Sequence, residues 1–132
     1  MIEVKNLEKT FGDQKVLKGI STRFEAGQTN LIIGQSGSGK TVFLKSLLGI
    51  HTPEVGTISF DGRIYSELDK DEKRELRTEI GMVFQGSALF DSMTVEENVG
   101  FPLKMFTNKT AEEIKERVNV VINRVNLVDA NH

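Results

Sequence analysis

Short runs of alternating apolar and polar residues dominate the first sixty positions, a pattern typical of strands that bury one face. Residues 2–7 alternate in this way, and a second such run lies within 16–24, after a turn at 11–14. Residues 57–60 predict a further strand, and the Asp61-Gly62 pair behind it is a tight-turn signal. The two early strands predict a small antiparallel layer added to an α/β core.

Two other short runs are mainly apolar, and each predicts a buried strand. The first covers residues 29–33 and the second covers residues 80–84. Runs of this length are typical of strands in the interior of an α/β sheet. We therefore expect the central sheet of the core to contain both runs.

Four segments predict helices. Residues 42–48 form the first, with Gly49 as its stop, and the charge-rich stretch 69–77 forms the second. Residues 94–99 predict a third helix that ends before Pro102. A capping box at 110–113 starts the last helix, whose apolar stripe comprises Ile114, Val118, Val121 and Val125.

Residues 34–41 form a complete phosphate-binding motif, G-x-x-x-x-G-K-[ST], between a predicted strand and a predicted helix. Glycines let the main chain approach an anion closely, and the amide N–H groups of such a loop form an anion nest. Lys40 adds a positive charge for the terminal phosphates, and Thr41 offers a hydroxyl to Mg²⁺. The motif predicts a nucleoside triphosphate site formed by Gly34, Gln35, Ser36, Gly37, Ser38, Gly39, Lys40 and Thr41.

The composition limits the possible classes of protein but does not indicate a reaction. The chain has 132 residues, 38% hydrophobic and 27% charged, with a net charge of −2 and no Cys. This balance gives no pull toward nucleic acid, and the absence of Cys excludes disulfides and Cys-ligated metal sites. No signal peptide or membrane-spanning run is visible, so a cytoplasmic chain is the expectation.

Further motifs occur in a fixed order around the phosphate loop. Phe11 follows the first strand, residues 56–62 read G-x-I-x-x-x-G, and the run from 80 ends in Gln85, ahead of the helix at 94–99. In this order they resemble the N-terminal half of the ATPase subunit of an ATP-binding-cassette (ABC) transporter. The resemblance implies a P-loop NTPase core of ABC-ATPase type with an antiparallel β layer, formed by residues 1–85. Residues 86–132 would hold the Q-loop and the beginning of a helical subdomain.

The resemblance also implies roles for single residues, with ATP and Mg²⁺ as the bound groups. Phe11 would stack on adenine, with Val16 and Val42 beside the nucleotide, although Phe11 could instead be a core aromatic. Gln85 would contact Mg²⁺, as Thr41 does, or the attacking water, and its alternative is an ordinary polar residue at a strand end. As an uncharged amide, Gln85 could orient water but could not accept a proton as a general base.

Residues 84–93 and 98–103 are similar to the Mla-type phospholipid-transport ATPases. This likeness implies a membrane permease and a second ATPase subunit as partners, at the inner face of the cytoplasmic membrane. The loop after the Q-loop is unusually apolar, and adaptable side chains of this kind suit a groove that grips a helix. We expect Leu89, Phe90 and Met93 to line the permease-docking groove; the alternative is that they pack under the helical layer.

The chain also departs from the family. An L-S-G-G-Q-like signature, a Walker B carboxylate and a switch histidine do not occur in these residues. We therefore expect a truncated cassette with negligible hydrolysis, in which the runs 29–33 and 80–84 lack the two strands that separate them in related ATPases. The isolated chain would then be unstable, oligomeric or rearranged so that these runs pair directly.

Two other functions stay open at this point. Another P-loop enzyme, such as a small kinase or a GTPase, fits the phosphate loop but not residues 80–99, and the chain has no N-K-x-D guanine motif. A module that binds nucleotide without turnover fits the chain as it stands.

Overall fold

The structure is a computed structural model that describes residues 1–84, 86 and 88–127. It divides into two compact units, Met1–Met82 and Val83–His132. Each unit has its own packing and is described separately below.

The first unit is built on a four-stranded antiparallel sheet with strand order β2-β1-β3-β4. The strands are β1 (Ile2–Phe11), β2 (Gln14–Phe24), β3 (Val55–Phe60) and β4 (Arg63–Ile64). The turn between β3 and β4 is tight, with Asp61 at φ 48° and Gly62 at φ 83°. Two successive positive φ angles characterise the type I′ turn that matches strand twist. The predicted antiparallel layer is confirmed, with strands longer than the alternating runs alone indicated.

Two helices cover one face of this sheet and close its core. They are α1 (Lys40–Leu47) and α2 (Lys70–Thr78). Helix α1 ends at Gly49, which has φ 68°, and Ile50 N–H donates to the Lys45 carbonyl at 2.9 Å. This is a Schellman ending, and it satisfies carbonyls that a helix end would otherwise leave unpaired. The buried core comprises Val4, Leu7, Leu17, Phe43, Leu47, Ile58, Phe60 and Leu76.

Helix α2 has the strongest local signals in the first unit. The Asp69 carboxylate accepts from the N–H groups of Asp71 and Glu72, while the Glu72 carboxylate accepts from Asp69 N–H, which completes a capping box. At the other end, Arg63 of β4 donates to both carboxylate oxygens of Glu79, at 3.0 and 2.7 Å. These hydrogen bonds lower the pKa of Glu79 below its usual value.

The two apolar runs that predicted buried strands are not strands in the structure. Residues 29–33 and 80–84 are irregular, and neither run pairs with a strand among the described residues. Ile32 and Ile80 still pack against the core, but Leu31 is 84% exposed and Val83 is 96% exposed. A strand needs a hydrogen-bonded neighbour, and apolar composition alone cannot supply one. The prediction of two central strands is therefore wrong for this structure. Of the three expected outcomes, direct pairing of the runs is not found among the described residues, while instability and oligomerisation stay predictions.

The second unit is a pair of helices, α3 (Val95–Phe106) and α4 (Ala111–Arg124). They approach closely at Gly100, where a Cβ would lie 3.1 Å from Ile114 Cγ2 and 3.4 Å from Val118 Cγ2. Val118 and Ile122 are buried here. The predicted stripe is thus right at Val118 and wrong at Val125, which lies beyond the helix and is exposed.

Helix α3 continues through Pro102, contrary to the prediction that it stops before that residue. Proline has no N–H, so the carbonyl of Asn98 cannot accept the usual bond from four residues ahead. The start of α3 is strongly fixed, because Thr94 and Glu97 form a capping box. Among the described residues, no helix has both the length and the apolar character needed to cross a membrane.

Candidate nucleotide-binding site

The phosphate-binding motif forms an exposed loop that leads directly into helix α1. Gly37 and Gly39 have φ 77° and 93°, a region that residues with a Cβ rarely adopt. Gly34 does not share this conformation. Its lack of a side chain instead makes room for Ser38, whose Oγ would lie 2.7 Å from a Cβ there.

The ammonium group of Lys40 lies over this loop. Its Nζ donates to the carbonyls of Gly34 and Gln35 at 2.7 and 2.8 Å. An ammonium group has three N–H donors, so two are used inside the loop and a third can reach an anion. The charge is therefore held at the mouth of the loop by the main chain of the motif itself.

The N-terminus of α1 has no side-chain cap. Its N-cap residue is Gly39, and no acidic residue occupies the first turn. The first amide that donates within the helix is that of Phe43, to the Gly39 carbonyl at 2.8 Å. The preceding N–H groups of a helix have no intrahelical acceptor, and they carry the positive end of the helix dipole.

Helices α2, α3 and α4 differ from α1 because their N-termini have side-chain caps. Each of α2, α3 and α4 begins with a complete capping box and carries two acidic residues in its first turn. Such carboxylates neutralise the positive helix end and satisfy its N–H groups. Only α1, among these helices, presents bare donors together with a lysine, an arrangement that favours an external anion.

Thr41 and Val42 occupy the first turn of α1. Thr41 is exposed beside Lys40, so its hydroxyl is accessible from solvent, whereas Val42 packs against the core. Gln85, predicted as the catalytic and second metal-contacting residue, lies outside the described residues. The phosphate loop and Thr41 therefore carry the argument for this site.

Phe11 ends strand β1 and leaves 43% of its surface exposed, which disfavours the alternative that it is a core aromatic. It pairs with Gln14 across the hairpin, and Val16 follows two residues along β2. Val16 touches the phosphate loop, since a Cβ on Gly39 would lie 3.0 Å from Val16 Cγ1. At about 3.4 Å of rise per strand residue, Gln14 and Val16 lie roughly 7 Å apart along β2.

The residues that surround Phe11 could not be predicted from the sequence. The ring meets His51 edge to face, with centroids 5.2 Å apart and planes at 78°, and Lys9 Nζ lies 5.2 Å from the ring centroid. Glu54 accepts from Lys9 Nζ and from Thr10 N–H at 2.5 and 2.8 Å. The hydrogen bond from Lys9 is the main cause that lowers the pKa of Glu54. His51 and Glu54 are forty or more positions from Phe11, so no local pattern could have revealed them.

The loop before α3 carries the three predicted partner-binding residues. Leu89 and Phe90 are exposed, and Met93 is half-buried. The Phe90 ring packs on Phe101 with centroids 4.8 Å apart, so one side of it belongs to the helical unit. The loop is ordered by Asn98, whose side chain accepts from Phe90 N–H and donates to the carbonyls of Phe90, Met93 and Thr94.

Comparison with protein families identifies the class. The family model described as "ABC transporter" matches residues 17–132. A match over this share of the chain shows that the protein belongs to the ABC transporter family.

Curated relatives agree with this class. The chain is 41% identical over 127 residues to the probable ribonucleotide transport ATP-binding protein mkl of Mycobacterium leprae, covering 96% of the chain and 36% of that relative. It is 39% identical to the spermidine/putrescine import ATP-binding protein PotA of Nitrosospira multiformis, covering 96% of the chain and 33% of the relative. The methionine import ATP-binding protein MetN of Brucella abortus is 36% identical, with coverages of 98% and 35%. The chain thus spans about a third of the length of these relatives.

Solved structures show the same fold. The dimeric structure of MJ0796, a bacterial ABC transporter cassette, superposes with a TM-score of 0.88 at 32% identity, covering all of this chain and 61% of that one. A dimeric post-hydrolysis state of MJ0796 bound to ADP and Pi gives a TM-score of 0.87 at 30% identity, with the same coverage. The α/β fold class of an ABC ATPase cassette, predicted from the sequence, is confirmed.

Proposed function

We propose that this chain is the ATP-binding part of an ABC transporter ATPase, which couples ATP binding and hydrolysis to transport through a membrane permease. The observation that carries the proposal is the bare N-terminus of α1 under the Lys40 ammonium. The similarity to MJ0796, whose post-hydrolysis state is bound to ADP and Pi, supports a nucleotide as the ligand.

In this proposal the triphosphate binds to the amides of residues 37–41. The helix dipole, the unpaired N–H groups and Lys40 all favour negative charge at one point, and such preorganised donors need no rearrangement when charge develops. The hydrogen bonds from Lys40 to the two carbonyls hold its ammonium group in place. Phosphate oxygens would therefore replace only the water molecules around the ammonium group. The chain would therefore bind the phosphates more strongly than the base.

One oxygen ligand suited to Mg²⁺, the Thr41 hydroxyl, is present among the described residues of the site. The hydroxyl of Thr41 is exposed beside Lys40 in the first turn of α1, and hard oxygen ligands are those that Mg²⁺ prefers. When bound, the ion would neutralise phosphate charge during phosphoryl transfer. We also propose that Gln85 orients water or contacts the ion, as the family resemblance implies. The base would stack on Phe11, with Val16 and Val42 flanking the nucleotide.

Partners and substrate class are further parts of the proposal. We propose that the chain works with a second ATPase subunit and a permease, at the inner face of the cytoplasmic membrane, and that Leu89, Phe90 and Met93 receive the permease. Phospholipids are our proposed substrate class, on the resemblance of residues 84–93 and 98–103 to Mla-type ATPases. The curated relatives are named for other substrates, so reconstituted transport of labelled phospholipid, compared with spermidine and methionine, is the test of that class.

Calorimetric titration with ATP·Mg²⁺ tests the nucleotide site. Lys40→Ala should weaken binding at least about tenfold, because a charge-assisted hydrogen bond contributes about 1.5–3 kcal/mol. Lys45→Ala is the matched control, since it removes the same side chain five residues further along α1. Equal affinity for the parent and the Lys40→Ala variant would exclude the proposed site.

Co-purification with the permease tests the docking loop. Phe90→Asp should abolish assembly and leave ATP affinity unchanged, because the exposed part of the ring would face the partner. Val120→Asp is the control, as Val120 is an exposed apolar residue of the same unit outside the loop. Intact assembly would reject the docking role, and loss of both assembly and ATP binding would make Phe90 a structural residue.

A further inference from the structure

The exposed ring of Phe11 is supported by a connection that lies far from it in sequence. The rings of His51 and Phe11 form a T-shaped pair, and Lys9 places its ammonium 5.2 Å from the Phe11 ring centroid. His51 belongs to the segment between α1 and β3, which starts where the phosphate-loop helix ends. The ring therefore contacts two chemically different groups, and it keeps a large exposed surface.

Glu54 fixes this connection to strand β1 at three successive residues. Its N–H donates to the Glu8 carbonyl at 3.1 Å, and its carboxylate accepts from Lys9 Nζ and Thr10 N–H. The Lys9 side chain is 15% exposed and the Glu54 side chain is 46% exposed, so one partner of the ion pair is shielded from solvent and the other is not. The segment that carries His51 is thus held against the end of β1.

The support matters because the ring lies outside the core. A buried aromatic is oriented by the packing around it, but a half-exposed ring at a hairpin tip can rotate unless a specific contact restrains it. The edge-to-face contact with His51 is such a restraint. A ring already held in place loses less entropy when a ligand stacks on it.

We propose that His51 is a positioning residue that holds the Phe11 ring, within the frame made by Glu54 and Lys9, for stacking by a nucleobase. This inference rests on the proposed function, since it assumes that a nucleotide occupies the phosphate loop. It adds that recognition of the base depends on the connection after α1 as well as on β1. The phosphates are held at one end of α1, and the base platform is braced from the other end.

The test compares two ligands that share phosphates and differ in the base: ATP·Mg²⁺ and inorganic tripolyphosphate with Mg²⁺. His51→Ala should weaken ATP binding about 2- to 12-fold, the range of an aromatic pair contact, and should leave tripolyphosphate binding unchanged. His51→Phe keeps an aromatic edge and should restore ATP affinity. Ile50→Ala, a change at the exposed neighbouring residue, is the control and should alter neither affinity.

A double-mutant cycle with Phe11→Ala makes the test specific. If His51 acts only through the ring, His51→Ala should have no further effect on ATP affinity in the Phe11→Ala background. An equal effect in both backgrounds, or an equal loss of tripolyphosphate binding, overturns the inference. If the parent binds ATP no more tightly than tripolyphosphate, the base platform is refuted while the phosphate site stands. If it binds neither ligand, the proposed function fails as well.

Discussion

A single methyl group at Gly39 is the sharpest perturbation of the phosphate loop. Gly39 has φ 93°, and a Cβ built there lies 3.0 Å from Val16 Cγ1, 3.3 Å from Leu17 Cδ2 and 3.4 Å from the Val16 carbonyl. The residue therefore serves two purposes, since it turns the chain into α1 and lets the loop lie against β2. The substitution Gly39→Ala disturbs both the backbone conformation and the contact with β2.

The expected loss of stability is the sum of a backbone cost and a packing cost. A positive φ costs a residue with a Cβ about 1–2 kcal/mol. Forcing an extra methyl into a tight contact costs typically about 1–3 kcal/mol, and the lower end applies here because side-chain atoms of Val16 and Leu17 can shift slightly. We therefore expect Gly39→Ala to lower the free energy of unfolding by about 2–3 kcal/mol.

Gly37→Ala is the control within the same loop. Gly37 has φ 77°, but a Cβ there meets nothing within 4 Å, so only the backbone term of about 1–2 kcal/mol applies. Urea unfolding of both variants measures the difference, and Val16→Ala in the Gly39→Ala background should recover part of it by removing the nearest contact. Equal destabilisation by the two glycine substitutions, without any effect of Val16→Ala, would refute the packing argument.

Three further predictions concern the parts that frame the site. Asn98→Ala removes four side-chain hydrogen bonds and should destabilise the protein by about 1–3 kcal/mol in thermal unfolding, whereas Asn108→Ala should not. Because Arg63 lowers the pKa of Glu79, their pair stabilises the fold fully above the ordinary glutamate range, and this contribution is lost as the pH falls through the lowered pKa. Glu79→Gln should therefore destabilise the protein at neutral pH and have little effect in strong acid; a loss independent of pH would contradict the linkage. Thr110→Ala should reduce stability by about 1 kcal/mol through loss of the α4 cap, measured by urea unfolding, and no change would contradict the capping role.

Local signals in the sequence were sufficient for most elements of the first unit. The Asp61-Gly62 turn and the Gly49 stop each determine a chain direction through one or two residues, and each is found in the structure as predicted. The capping box at Thr110 likewise marks the start of α4. These features depend on interactions within a few positions, which is the range that a sequence pattern can report.

The wrong predictions of secondary structure share a different cause. Whether residues 29–33 and 80–84 become strands depends on a hydrogen-bonding neighbour from elsewhere in the chain, which an apolar run does not encode. Helix α3 continues past Pro102 and packs against α4 at Gly100, a contact that the residues around Pro102 do not encode. Long-range contacts decided both outcomes.

The candidate site divides in the same way. The motif identified the phosphate loop and Lys40, since a contiguous segment carries that chemistry. It could not indicate that Gly34 accommodates Ser38, or that His51 and Glu54 approach Phe11 from a distant connection. The part of a site formed by one segment was predictable, and the part assembled from several segments was not.

A structure of the protein with ATP·Mg²⁺ tests the central claim most directly. We expect the outer phosphates to accept hydrogen bonds from the amides of residues 37–41, with Lys40 Nζ and the Thr41 hydroxyl beside them and the base against Phe11. The unpaired donors at the start of α1 and the ammonium above them require that position. Nucleotide bound elsewhere at saturating concentration, with this loop empty, would contradict the account.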